Sequence, residues 1–196
     1  MRDLEIRGAG NLLGTKQSGH IAAVGFDLYC QLLKQSVDRL REGKTTPRVE
    51  TTFKADFMSF SEAEYTQIAE PENSDDHIGN LPAYLPASYM PEARLRISAY
   101  KELAELTNQA ELKKLTTRWV DRFGKPPLST TNLLTATSIK LAAAAAGITA
   151  VEIQEQRLML TRNGSYIFVN GKRFPRLESI TPSDKLDEAL KMLKSI

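Results

Sequence analysis

The stretch Val151-Glu152-Ile153-Gln154-Glu155-Gln156-Arg157-Leu158-Met159-Leu160-Thr161-Arg162-Asn163-Gly164-Ser165-Tyr166-Ile167-Phe168-Val169-Asn170-Gly171 changes the rhythm of the chain. Upstream, apolar residues recur at helical spacing. Within this stretch they alternate or cluster in short β-rich runs. Val151 and Ile153 suit one strand, Leu158 and Leu160 a second, and Tyr166 to Val169 a third. Asn163-Gly164, set between two such runs, is a hairpin signal, because both residues reach positive φ at little cost. Asn170-Gly171 repeats it. Helices followed by a hairpin-rich run imply an α+β fold with an antiparallel sheet.

Immediately upstream, residues 92–146 read as three helices. Leu95, Ala99, Leu103 and Leu106 share one face of the first. Asn108 with Glu111 three residues on forms a capping box for the second. That helix carries Leu112, Leu115, Trp119 and Val120 and stops at Gly124, before Pro126-Pro127. Ser129 begins the third, which runs through Leu133, Leu134, Thr137 and Leu141 to the alanine run Ala142–Ala146, with Gly147 closing it. The alanines imply close approach of helices in a core. Downstream, Pro182 and Ser183 open a last helix with Leu186, Leu190 and Leu193.

Further upstream the chain turns acidic. Val49, Thr51, Phe53 and Ala55 alternate with polar residues as a strand would. Ser61 and Glu64 suggest a cap for a short helix ending near Ala69. Glu70 to Asp76 has no apolar residue to bury, so an acidic insertion or excursion is expected at about 57–80. Pro82, Pro86 and Pro91 keep the following stretch extended. The 196-residue chain has a net charge of +2, but it is built in blocks. Residues 1–48 carry +3, residues 49–92 carry −8 and residues 93–196 carry +7.

The first residues read differently. Gly8, Gly10, Gly14 and Gly19 punctuate any helix there. From His20, an apolar stripe of Ile21, Val24, Leu28, Leu32, Val37 and Leu40 predicts an amphipathic helix that ends at Gly43. Within the glycine-rich tract, Gly8 and Gly10 allow close backbone approach, and Arg7 offers a bidentate fork for phosphate or carboxylate. Lys16 and Gln17 add a charge and an amide. A tight turn with solvated charges, a grip on a nucleic-acid backbone and a relay of motion from a neighbouring domain all fit these parts.

Composition excludes several classes. With 41% hydrophobic and 26% charged residues, the chain is not a largely disordered one. No apolar run approaches the ~20 residues of a membrane helix. Cys30 is the only cysteine, so there is no disulfide framework and no Cys-based zinc site, and a reducing cytoplasm is expected. No Gly-x-x-x-x-Gly-Lys-Ser/Thr run occurs. His20 and His77 lack metal-ligand spacing, and Asp75-Asp76 reads as a solvated loop. No catalytic residue and no metal ligand is assigned.

The tract Arg2-Asp3-Leu4-Glu5-Ile6-Arg7-Gly8-Ala9-Gly10-Asn11-Leu12-Leu13-Gly14-Thr15-Lys16-Gln17-Ser18-Gly19 resembles the translocation motif of the RecG and Mfd families of bacterial helicase-like proteins. Gly25-Phe26-Asp27-Leu28-Tyr29, Arg94 to Lys101 (Arg-Leu-Arg-Ile-Ser-Ala-Tyr-Lys) and Asp121-Arg122-Phe123-Gly124 favour the second, the transcription-repair coupling factor family. The resemblance is weak in the sheet region and departs at roughly 57–80.

The resemblance implies a C-terminal fragment of an ATP-dependent double-stranded DNA translocase. That protein removes stalled RNA polymerase at lesions and recruits UvrA for nucleotide excision repair. ATP and Mg would belong to missing upstream motor domains, so the fragment would have no cofactor and no enzymatic activity of its own. Residues 1–44 would be the translocation motif and long helix, a helical hairpin and loop. The residues matching that motif, Arg7, Gly8, Gly10, Gln17 and Gly19, would couple ATP hydrolysis to movement on DNA. Residues 45–196 would be a regulatory domain that autoinhibits by docking on an N-terminal repair-like domain. The alternatives are a free-standing nucleic-acid-binding module, a small enzyme binding a phosphorylated substrate, or the C-terminal part of a RecG-like helicase.

Overall fold

The structure, a computed structural model, describes residues 51–62, 65–66, 80–168 and 172–196. The glycine-rich tract, the helix from His20, the Ser61/Glu64 cap, the Glu70–Asp76 loop and the Asn170-Gly171 turn lie wholly or partly outside the described residues.

The described elements run β1 (Thr52–Ala55), β2 (Met58–Ser59), β3 (Leu81–Pro82), α1 (Ala93–Glu105), α2 (Gln109–Phe123), α3 (Leu128–Ala145), β4 (Ala150–Gln154), β5 (Arg157–Arg162), β6 (Ser165–Tyr166) and α4 (Pro182–Lys194). The α+β class is borne out. The principal sheet has the order β1-β4-β5-β6. It is mixed, whereas an antiparallel sheet was expected: β4, β5 and β6 are antiparallel neighbours, but β1 lies parallel to β4 with Phe53 beside Val151. A parallel pair needs a long crossover, and the three helices between β1 and β4 provide it. A second ladder, β2 with β3, is also parallel and sets Met58 beside Leu81. Leu81 N–H donates to Phe57 O at 2.7 Å and Ala83 N–H to Ser59 O at 2.8 Å. Phe57, Met58 and Ser59 are buried, so the chain that begins the acidic stretch is part of the core.

The β4–β5 and β5–β6 connections are both two-residue hairpins. Asn163 and Gly164 take φ of 51° and 76°, as a type I′ turn requires. Glu155 opens the other hairpin at φ 56° without a glycine; its N–H donates to Asp56 Oδ2 at 2.7 Å. The third run is shorter than expected: the strand covers Ser165–Tyr166, and Ile167 N–H still donates to Leu160 O at 2.8 Å.

The helix signals translate into geometry. Asn108 Oδ1 accepts the Glu111 N–H at 2.9 Å, and Glu111 Oε2 accepts the Thr107 N–H at 2.7 Å. The Thr107 amide first, and then the Thr107 hydroxyl donating at 2.8 Å, hold the Glu111 carboxyl below the usual glutamate range. Gly124 takes φ 82° and donates its N–H to Val120 O, which ends α2. α3 begins one residue before Ser129, since Pro127 has already taken the N-cap position. Leu133, Ala136, Ile139 and Ala143 are buried there, and α3 packs against α4, where Ala189 is fully buried. Ala142 and Ala143 serve the close packing expected of the alanine run, whereas Ala145 is exposed.

α4 is capped by Thr181, whose hydroxyl accepts the Asp184 N–H at 3.2 Å. Glu188, one turn further on, receives the N–H groups of Glu178 and Ser179 at 2.8 Å each. Burial works against the Glu188 charge, but these amides and Lys191 outweigh it and hold the carboxyl below the usual range.

Candidate interaction surface between α1 and α2

α1 and α2 meet over a shallow cleft lined by Leu95, Ala99, Glu102, Arg118, Trp119 and Phe123, with Ser98 and Arg122 at its rim. Its apolar floor follows from the sequence pattern. Ala99 and Leu103 are buried on α1, and Leu112, Leu115 and Trp119 on α2. Val120, expected on the buried stripe of α2, is 42% exposed. A helix advances about 100° per residue, so Val120 leaves the arc that Leu112, Leu115 and Trp119 define.

Charge surrounds that floor. The Arg118 guanidinium pairs with the Glu102 carboxylate across the two helices. The Arg122 guanidinium carbon sits 5.1 Å from the centre of the Phe123 ring. Phe123 packs on Tyr89 with ring centres 5.8 Å apart. The Tyr89 hydroxyl donates to Gly124 O at 3.1 Å, and burial raises its pKa. At the other end of α1, Arg96 Nη1 donates to Met90 O at 2.6 Å and Pro91 O at 2.9 Å, which fixes how the helix is entered. Tyr100 OH accepts the Leu85 N–H at 2.8 Å and ties the same segment down.

This chemistry suits binding. Arg118 and Glu102 neutralise each other, and the cleft lining contains no histidine, cysteine or paired carboxylates. No group of His, Cys, Asp or Glu suited to a metal occurs among the described residues. Among them, too, no helix is long and apolar enough to cross a membrane.

Arg7, Gly8, Gly10, Gln17 and Gly19 lie outside the described residues. Gly25–Tyr29 also lies outside them, and the other two stretches behind the family resemblance come together here. Arg94–Lys101 lies in α1 and Asp121–Gly124 ends α2, and both line this cleft. Arg94, Ser98, Lys101, Asp121 and Arg122 are exposed. Sequence reading placed these residues on helices but gave no sign that they share a surface.

Comparison with known proteins agrees with that resemblance. Residues 80–166 match the model of the TRCF domain. The chain is 40% identical over 139 residues to the transcription-repair-coupling factor of Haemophilus influenzae, covering 71% of this chain and 10% of that protein. It is 35% identical over 156 residues to the Staphylococcus haemolyticus counterpart, covering 78% of this chain and 11% of that one. The chain therefore spans about a tenth of the length of these curated relatives. Among solved structures, a crystal structure of the C-terminal domain of a transcription-repair coupling factor aligns at TM-score 0.41 and 18% identity, over 60% of this chain and 92% of that one.

Proposed function

This chain carries a TRCF domain and belongs with the transcription-repair-coupling factors, and from that premise we propose that it is the C-terminal, regulatory part of such a factor. The parent would be an ATP-driven double-stranded DNA translocase that displaces stalled RNA polymerase and brings in UvrA. ATP and magnesium would be held by motor domains outside this chain, whose sequence has no P-loop. The described domain would act by docking, through the α1–α2 surface, on the repair-like domain near the parent's N-terminus, keeping it closed until the motor engages. One observation supports this assignment of the surface: Arg94, Ser98, Asp121 and Arg122 fall in the two stretches that resemble the family and are exposed, so no core requires them.

The 196-residue chain should bind the N-terminal part of its parent when the two are supplied separately. Arg122→Glu should weaken that binding by about tenfold or more, because reversing a charge in a complementary contact is costly. Calorimetric titration reads both results. An unaltered chain that does not bind refutes autoinhibition by docking; equal binding by Arg122→Glu moves the contact to another face.

The glycine-rich tract would link this domain to the motor, with Arg7 and Gln17 transmitting the motor's state or touching DNA phosphate and with Gly8, Gly10 and Gly19 shaping the backbone. In the parent, Arg7→Ala or Gln17→Ala should leave ATP hydrolysis running while translocation falls. Triplex displacement assayed beside phosphate release separates the two. Unchanged translocation in both variants would remove these residues from the mechanism.

A further inference from the structure

A second surface gathers aromatic and basic side chains along the β6 edge of the sheet. On β5, Leu158 and Leu160 turn into the core, so Arg157, Met159 and Thr161 face outward. Tyr166 is the register partner of Thr161 and shares that outer face. The chain then leaves β5 and rejoins the same edge nearer the strand's start. There Leu158 N–H donates to Pro175 O, and Leu177 N–H to Gln156 O, both at 2.8 Å. Pro175 and Leu177 are buried, so Phe174 and Arg176 alternate outward.

Three rings meet where the edge is interrupted. Phe168 and Phe174 have centres 4.9 Å apart, Tyr166 and Phe174 5.3 Å, and Tyr166 and Phe168 6.3 Å. Tyr166 remains 50% exposed and Phe168 43%. Rings in mutual contact normally supply core burial; a cluster left at the surface marks a contact site.

The charge around them is mainly positive. Residues 156–177 contain five Lys or Arg and no Asp or Glu. Lys172, Arg173 and Arg176 are exposed beside Phe174. Arg157, also on this face, is paired with Glu155 at 3.2 Å. The outward carboxylate Glu152 lies on β4, in register with Lys54.

We propose that this face, Tyr166, Phe168 and Phe174 among Lys172, Arg173 and Arg176, binds single-stranded nucleic acid. Such a strand offers a phosphate and an open π-face at every residue, and the surface supplies a partner for each. An acidic peptide would satisfy the cations and leave the rings without regular partners. A duplex keeps its bases stacked inside and offers only phosphates. This site is separate from the proposed docking surface on α1 and α2, so either can fail without the other.

The test uses the 196-residue chain and a fluorescein-labelled twelve-nucleotide oligo(dT), read by anisotropy at two salt concentrations. Binding should weaken as salt rises, by counterion release. Phe168→Ala with Phe174→Ala should weaken it about tenfold or more, since each stacked base contributes substantially. Lys172→Ala with Arg173→Ala, both at exposed positions, should flatten the salt dependence even if the aromatic pair disturbs the edge. Lys114→Ala, an exposed cation on α2, should change neither and serves as the charge control. The proposal is overturned if the oligonucleotide does not bind. It is overturned equally if a duplex of the same length or polyglutamate competes as well as oligo(dT), or if removing the lysine and arginine leaves the salt dependence as it was.

Discussion

Trp119→Ala should destabilise the domain by about 3–5 kcal/mol, the range for removing a large buried aromatic. Trp119 is 3% exposed at the end of the buried stripe of α2, and it floors the cleft that α1 closes. The void would have no ready filling. Phe123 is already committed to Tyr89, and the Tyr89 hydroxyl to the α2 cap at Gly124. In a domain of this size the loss corresponds to a fall in Tm of roughly 10 °C or more, followed by circular dichroism. Trp119→Phe, which keeps most of the volume, should recover a large part of it. A melting point within a degree or two of the unaltered chain would mean that α1 and α2 collapse freely onto each other. Arg122→Glu, by contrast, should hardly move Tm, because that side chain is exposed. The pair of variants separates loss of the surface's shape from loss of its charge.

Phe53→Ala should cost about as much, again about 3–5 kcal/mol, but the damage should be local. Phe53 is 1% exposed and is the one fully buried side chain of β1. It lies beside Val151 in register and meets Phe60 edge-on, with ring centres 6.3 Å apart. Ala55 is only partly buried against the core, and the rest of what holds β1 is polar: Thr52 N–H to Thr149 O at 3.0 Å, Asp56 N–H to Ile153 O at 3.1 Å and Thr51 Oγ1 to Ile148 O at 2.6 Å. Each such bond contributes roughly 1 kcal/mol net, and β1 forms an outer strand of the sheet. Hydrogen exchange should therefore show the β1 amides losing most of their protection while those of α2 and α3 keep theirs. Protection retained in β1 would make the ladder, and not the ring, the anchor.

How much was legible in the sequence depended on how local each signal is. The Asn108/Glu111 cap, the stop at Gly124 and the Asn163-Gly164 turn are contained in a few residues, and each sits where the sequence put it. The β4–β5 turn has no such mark, since Glu155 adopts positive φ with its amide held by the distant Asp56. The parallel pairs were out of reach for a related reason. Nothing in Thr52–Ala55 says that its neighbour lies nearly a hundred residues on, and β2 and β3 are only two residues each. Val120 and Phe168 failed the simple expectation that apolar residues at strand or helix spacing are buried. At the α1–α2 cleft, the residue types were readable from the family pattern, but the juxtaposition of Leu95 with Trp119 needed the fold. Arg7 and Gln17 remain a reading of the sequence and lie outside the described residues.

The β2–β3 ladder has a practical consequence. It fastens Phe57–Ser59 to Leu81–Ala83 through backbone bonds, so the chain leaves the packed base at one end of the ladder and returns to it at the other. The length of that intervening chain is thereby decoupled from the stability of the base. Doubling a closed loop adds only about 0.6 kcal/mol of closure entropy. The ladder is thus a splice point, at which evolution or an engineer can exchange the chain between Thr66 and Asn80 for a longer one, or for a reporter, without rebuilding the domain beneath it.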